Sequence, residues 1–151
     1  MSTPPSPPHL VGAIRNFLLA TPTIAGPLTG GIADSQAGRD DAAPYLVLQV
    51  KDSHSLRVFG GGEVYWATVW FEVFHTGRST VESIANLIRD AILPPADQPA
   101  WSPLGIADGW IDTNRQPAGG DSIEIDPEIR AAFGKDVWCC RRPITWTIAR
   151  G

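Results

Sequence analysis

Glu63-Val64-Tyr65-Trp66-Ala67-Thr68-Val69-Trp70-Phe71-Glu72-Val73-Phe74-His75 is the stretch whose reading decides the fold. Successive side chains of a strand point to opposite faces. The odd positions Tyr65, Ala67, Val69, Phe71 and Val73 therefore make one uniform apolar face. The even positions Val64, Trp66, Thr68, Trp70, Glu72 and Phe74 make a second face that is too aromatic for open water. Two readings of that second face stand side by side. A further helix, such as the N-terminal one, covers it, or it is a contact with another subunit or partner. Stacking on carbohydrate is a third use of aromatics, and it needs open exposure with flanking polar groups.

Working outward, Tyr45 to Val50 is a nearly continuous apolar run, as expected of a buried strand. Lys51 to Ser55 reads as a turn, Leu56–Phe59 as a short strand, and Gly60, Gly61 and Gly62 as a flexible break. On the other side, Ser79-Thr80-Val81-Glu82 matches a capping box. Behind it Val81, Ile84, Ala85, Ile88, Ala91 and Ile92 form a helical stripe, which Pro94-Pro95 ends.

The remaining segments fall around this unit. Residues 1–8 are expected to be a flexible, Pro-rich tail. Leu10, Ala13, Ile14, Phe17 and Leu18 predict a first helix ending near Ala20. Thr23 to Ala43 reads mainly as loop, with room for a short strand around Gly31–Ala33. Residues 94–135 read as a loop-rich insertion with strands near Gly109–Thr113 and Ser122–Ile125. Asp126-Pro127 caps a brief helix through Phe133. In the last strand Trp138, Cys140, Ile144, Trp146 and Ile148 share a face. Pro143 removes a ladder donor, which predicts an edge strand or a bulge. The expected class is α+β: a mainly antiparallel, mixed sheet of about four to six strands with two main helices packed on it, in one domain over 9–151.

Composition narrows the function classes. The chain has 151 residues, enough for a single core. Charged residues are only 19%, and six tryptophans exceed what one core of this size needs. A net charge of −4 and a pI near 5.2 argue against broad phosphate-backbone binding. Arg141 and Arg142 are the densest basic pair, and they read as two solvated side chains on opposite faces. Cys139 and Cys140 are neighbours that cannot readily bond each other, so a reducing compartment is expected. No apolar run approaches the ~18 residues of a membrane span, and the Pro-rich N-terminus lacks a signal-peptide core.

Chemical motifs are scarce. Gly60-Gly61-Gly62 lacks the spacing and lysine of a phosphate loop. Asp108, Asp112, Asn114, Asp121, Glu124 and Asp126 are acidic enough to suggest calcium, but the EF-hand register puts Pro117 where Gly belongs and Ile123 where Glu belongs. His9, His54 and His75 show no metal-ligand spacing. Ser79 lies in no G-x-S-x-G elbow. The sequence thus points to no enzyme, no cofactor and no metal.

The order of elements carries a resemblance. An N-terminal helix, a loop, Pro44-Tyr45-Leu46-Val47-Leu48, a long strand ending Phe71-Glu72-Val73-Phe74, the helix from Ser79 to Leu93 and a final alternating strand follow one another. This order resembles the tail terminator (tail completion) proteins of long-tailed bacteriophages, including that of phage lambda, over residues 9–93 and 136–149. Residues 94–135 look longer than the corresponding connection. The resemblance implies a structural virion protein at the head–tail junction, assembled in the host cytoplasm. It also implies a homohexameric ring whose partners are the tail tube protein and a head-completion connector, with DNA only passing through the lumen. On that basis Trp66, Trp70 and Phe74 are expected at or beneath the subunit contact. Gly60, Gly61, Gly62, Asp108, Trp110 and Asp112 are expected in mobile loops facing tube, connector or lumen. Two alternatives stay open: another neck or connector protein, or a small-molecule or carbohydrate-binding module using the tryptophans.

Overall fold

A computed structural model describes residues 9–33, 43–57, 60–94, 97, 98, 102 and 104–151. The expected tail over 1–8 and the middle of the expected loop, 34–42, lie outside these residues. In chain order the elements are α1 (Leu10–Leu19), α2 (Pro22–Ala25), β1 (Ile32–Ala33), β2 (Tyr45–Arg57), β3 (Glu63–His75), α3 (Arg78–Ile92), β4 (Ile111–Pro117), β5 (Ser122–Ile125), α4 (Pro127–Phe133) and β6 (Trp138–Arg150). The six strands form one mixed sheet in the order β1-β2-β3-β6-β4, and β5 also pairs with β6. Only β1 is parallel to its neighbour. The class is α+β, as the alternation and helical stripes require.

The odd face of β3 is closed by helices. Leu10, Ile14 and Leu18 of α1 and Val81, Ile84, Ala85, Ile88 and Ile92 of α3 pack with Val69, Phe71, Val73, Cys140, Ile144, Trp146 and Ile148. Each fully buried large apolar side chain contributes about 1.5–3 kcal/mol relative to exposure. This inner layer holds most of the apolar core.

Several local expectations change. β2 runs without a turn from Tyr45 to Arg57, with only a register shift between Val50 and Asp52. Lys51–Ser55 is polar because β2 is exposed at every position from Val50 to Arg57, and not because it turns. Val58 and Phe59 lie outside the described residues. Gly60 and Gly61 both have φ +96, a left-handed backbone suited to glycine, at the tip joining β2 to β3. They connect one long hairpin; they do not interrupt a meander. Helix α3 starts two residues earlier than the capping box predicts. Gly77 is its N-cap and no side chain bonds there, so Ser79 and Glu82 do not cap it.

Other features hold or are relocated. Asp126 accepts a hydrogen bond from the Ile129 amide at 2.8 Å and caps α4, which Pro127 opens. Such a cap contributes about 1 kcal/mol. β6, however, is an interior strand and not an edge. Pro143 is tolerated because β5 ends and β4 begins along that side, opposite Arg141 and Ile144 respectively. The carbonyl of Pro143 accepts from Ala118 in the connecting segment. The proline nitrogen points to the same side as that carbonyl, into the break between the two strands, so no ladder bond is lost.

Candidate functional site

Side chains directly opposite on antiparallel strands share a face, so the register maps the outer face of the sheet as transverse rows. One end holds Tyr45, Phe74 and Cys139, followed by Val47, Glu72 and Arg141. The rows then pass through Gln49, Trp70 and Pro143, through Asp52, Thr68 and Thr145, and through His54, Trp66 and Thr147. Leu56, Val64 and Ala149 end the series, with Ile111 of β4 beside Ala149.

Helix α4 covers the first rows only. Tyr45, Val47, Phe74 and Cys139 are buried with Ile129 and Val137 in a second, smaller core. Tyr45 and Phe74 stack with centroids 5.0 Å apart and planes 9° from parallel. Phe74 is therefore a core residue, and any contact on this face has it beneath the surface. Burial pushes the Cys139 thiol well up, and the nearby Glu72 charge adds to this. Burial also raises Cys140, on the inner face. Both thiols are free.

At the border of the covered zone, Arg141 Nη2 donates to Glu72 Oε2 at 2.7 Å and Nε donates to the same oxygen at 3.2 Å. Glu72 is buried, and the pair lets a charged residue interrupt an apolar strand. Arg142 turns to the inner face, where its Nε lies 3.7 Å from Asp121 Oδ2. The two arginines are thus engaged within the subunit instead of being freely solvated. The Arg141 guanidinium lies 4.6 Å from the centre of the Trp70 ring, and Lys51 Nζ lies 4.8 Å from it. Contacts of this kind contribute about 0.5–1 kcal/mol each at exposed sites. Around Trp70 is an open recess of about 420 Å³ bounded by Gln49, Lys51, Glu124, Asp126 and Arg141.

Beyond Trp70 the outer face has no cover among the described residues. Trp66 is partly exposed and stacks on His54 with centroids 4.7 Å apart. The hydroxyls of Thr68 and Thr145 lie 3.2 Å apart. The result is a surface with two partly exposed indoles on one strand, Trp66 bordering a small recess with Asp52 and His54 and Trp70 flanked by Lys51 and Arg141. A larger groove of about 630 Å³, lined by Pro27, Ser79, Thr80, Ser83, Ile84 and Leu87, lies on the helix side and holds no charged group.

The other expected positions separate into surface and interior. Gly60–Gly62 and Asp108 meet at one end of the sheet, because Arg150 Nε bonds Glu63 at 2.9 Å while its Nη1 donates to the Asp108 carbonyl. Trp110 is buried instead, edge-on to Tyr65 at 6.4 Å and beneath the Arg150 guanidinium at 4.5 Å. Asp112 is also interior: its Oδ2 accepts from Arg115 Nη1 at 2.6 Å and from Ser102 Oγ at 2.8 Å, while Arg115 Nε reaches the Ile92 carbonyl at the end of α3. Neither side chain is in a mobile loop, and the acidic 106–126 region contains β4 and β5. Asp112 is committed to this ion pair and Asp126 to its cap. Among the described residues no group of three His, Cys, Asp or Glu side chains gathers as a metal site would require.

Sequence reasoning missed Lys51, His54, Glu72 and Arg141. Glu72 carried a usable signal, since a carboxylate inside an apolar strand needs a partner. The others depend on strand register.

No family model and no curated protein matches the sequence. By structure, the chain is similar to a chain from the virion of a native gene transfer agent (GTA) particle. The TM-score is 0.64 at 13% identity, covering 93% of this chain and 94% of the other. The two share a fold from end to end. Among the described residues no helix is long and apolar enough to cross a membrane.

Proposed function

We propose that this chain is a structural protein of a phage-like virion, a tail terminator that assembles as a ring, caps the tail tube and joins it to the head connector. The observation that carries this reading is the near-complete match in fold to a chain of a virion particle, with little length left over on either side. The open outer face supports it, because partly exposed tryptophans beside polar hydroxyls suit a protein contact. So does the acidic character, since DNA can pass a conduit of like charge without sticking. The role is assembly; no reaction is assigned to it.

Sedimentation over a wide concentration series tests the reading. Six copies of a 16.2 kDa chain weigh about 97 kDa, and a closed ring stops growing there. A plateau near that mass, together with rings seated on the ends of tail tubes in the electron microscope, is the expected result. A monomer that never binds tubes would sink it. Rings that bind connectors and ignore tubes would instead assign the chain to the neck, the second reading that the same fold supports.

A further inference from the structure

Among the described residues the sheet has two open edges, and they match. β1 pairs with β2 only at Leu46 and Val47. On the far side, β5 occupies the corresponding stretch of β6, Trp138 to Arg141. Past those rows β2 continues from Leu48 to Arg57 and β4 runs from Ile111 to Pro117, each with no further strand beside it among the described residues. The register sets these open stretches against the same rows: Leu56 aligns through Val64 and Ala149 with Ile111, and His54 through Trp66 and Thr147 with Asn114.

Polarity matches as well. All three pairings from β2 through β3 and β6 to β4 are antiparallel, so β2 and β4 run in opposite directions. Placing β4 of one copy beside β2 of the next therefore makes another antiparallel pair, and the step can repeat. Such a contact uses different surfaces on the two partners, which is what a ring requires. An edge left open normally carries charges that deter pairing. β4 has turned its two charges, Asp112 and Arg115, inward to each other, leaving Ile111 65% exposed and Asn114 and Gln116 uncharged. β2 offers exposed Val50 and Leu56; of its three charges in this stretch, Lys51 is held over Trp70 and Arg57 beside Glu63, which leaves Asp52 exposed.

We infer that neighbouring copies join by sheet addition, β4 (Ile111–Pro117) of one against β2 (Leu48–Arg57) of the next. This rests on the ring reading and specifies its contact. The outer faces of the copies then merge into one continuous surface carrying Trp66.

Cysteine pairs in the full chain test it. His54→Cys is combined in turn with Ile111→Cys, Asn114→Cys and Gln116→Cys, and each variant is oxidised and run on a denaturing gel beside a sedimentation measurement. One pair should shift the monomer band to a ladder ending at the ring's copy number. Moving the first cysteine forward to Leu56 should move its reactive partner backward along β4, and Asp52→Cys should move it forward. Ser55→Cys, which points to the other face, should form no bridge with these positions. Particles of ring mass without any such bridge would overturn the edge assignment and leave the ring reading standing. An intrachain bridge from His54→Cys to Gly38→Cys, in a protein that sediments as a ring, would show the edge taken by the chain itself and would also overturn it. Monomers alone, with or without tail tubes, would remove both readings.

Discussion

The two faces of β3 carry similar side chains and meet different fates. On the inner face, Tyr65, Ala67, Val69, Phe71 and Val73 are all buried beneath α1 and α3. On the outer face, burial declines along the strand, from Phe74 under the short α4 to the partly exposed Trp70, Trp66 and Val64. Composition does not separate the faces; the length of the covering helix does. A seven-residue helix reaches only the first rows, whereas the fifteen-residue α3 crosses the inner face. An aromatic residue is therefore core or contact surface according to what lies above it.

The sharpest break of this contrast comes at the inner edge. Arg115→Ala leaves Asp112 charged, buried and without its partner, with its Oδ1 already lacking a hydrogen bond from any described residue. A loss of about 3–5 kcal/mol is expected in urea denaturation. A loss below about 1 kcal/mol would show that β4 is not anchored to α3 through this pair.

The outer face supplies the direct comparison. Phe74→Ala should cost about 3–4 kcal/mol, as a buried aromatic truncation does. Trp70→Ala should cost about 1–2 kcal/mol in the monomer, chiefly its two cation contacts and partial burial, and it should weaken ring formation. If the two substitutions destabilise the monomer equally, the open half of the face belongs to the core and the contrast fails.

A smaller effect sharpens the covered zone. Burial raises the pKa of both thiols in the folded chain, so folding favours their protonated form. Their contribution is complete below the unfolded thiol range of about 8.5 and declines as pH rises through and beyond it, by up to about 1.4 kcal/mol per pH unit for each thiol. Urea midpoints at rising alkaline pH should fall in wild type and fall less in Cys139→Ser. Equal slopes would place Cys139 in contact with solvent.

Much of the architecture could be read from the chain. The stripe from Val81 to Ile92 required a helix, the alternation of β3 required a strand covered on one side at least, and Asp126-Pro127 marked the start of α4. Errors arose where one residue type serves two physical ends. Polar Lys51–Ser55 resembled a turn, but exposure of a strand on both faces selects the same residues. Pro143 resembled an edge marker, but a break in the neighbouring strand absorbs a missing donor equally well. Ser79 and Glu82 had the spacing of a cap, yet the chain enters α3 two residues earlier, through Gly77.

The candidate site was readable only in part. Trp66 and Trp70 stood out from alternation, while the burial of Phe74 and Trp110 depended on α4 and Tyr65, which are distant in sequence; Asp112 pairs with Arg115 only three residues on, but a register shift in β4 is what turns both side chains inward. Local periodicity fixes which side chains of one strand share a face, because that follows from backbone geometry alone. It determined the fold class and the apolar demand of both faces of β3. Which rows are covered, which charges pair and which edges stay open were decided only by tertiary structure, because each depends on contacts between segments whose register no local pattern encodes.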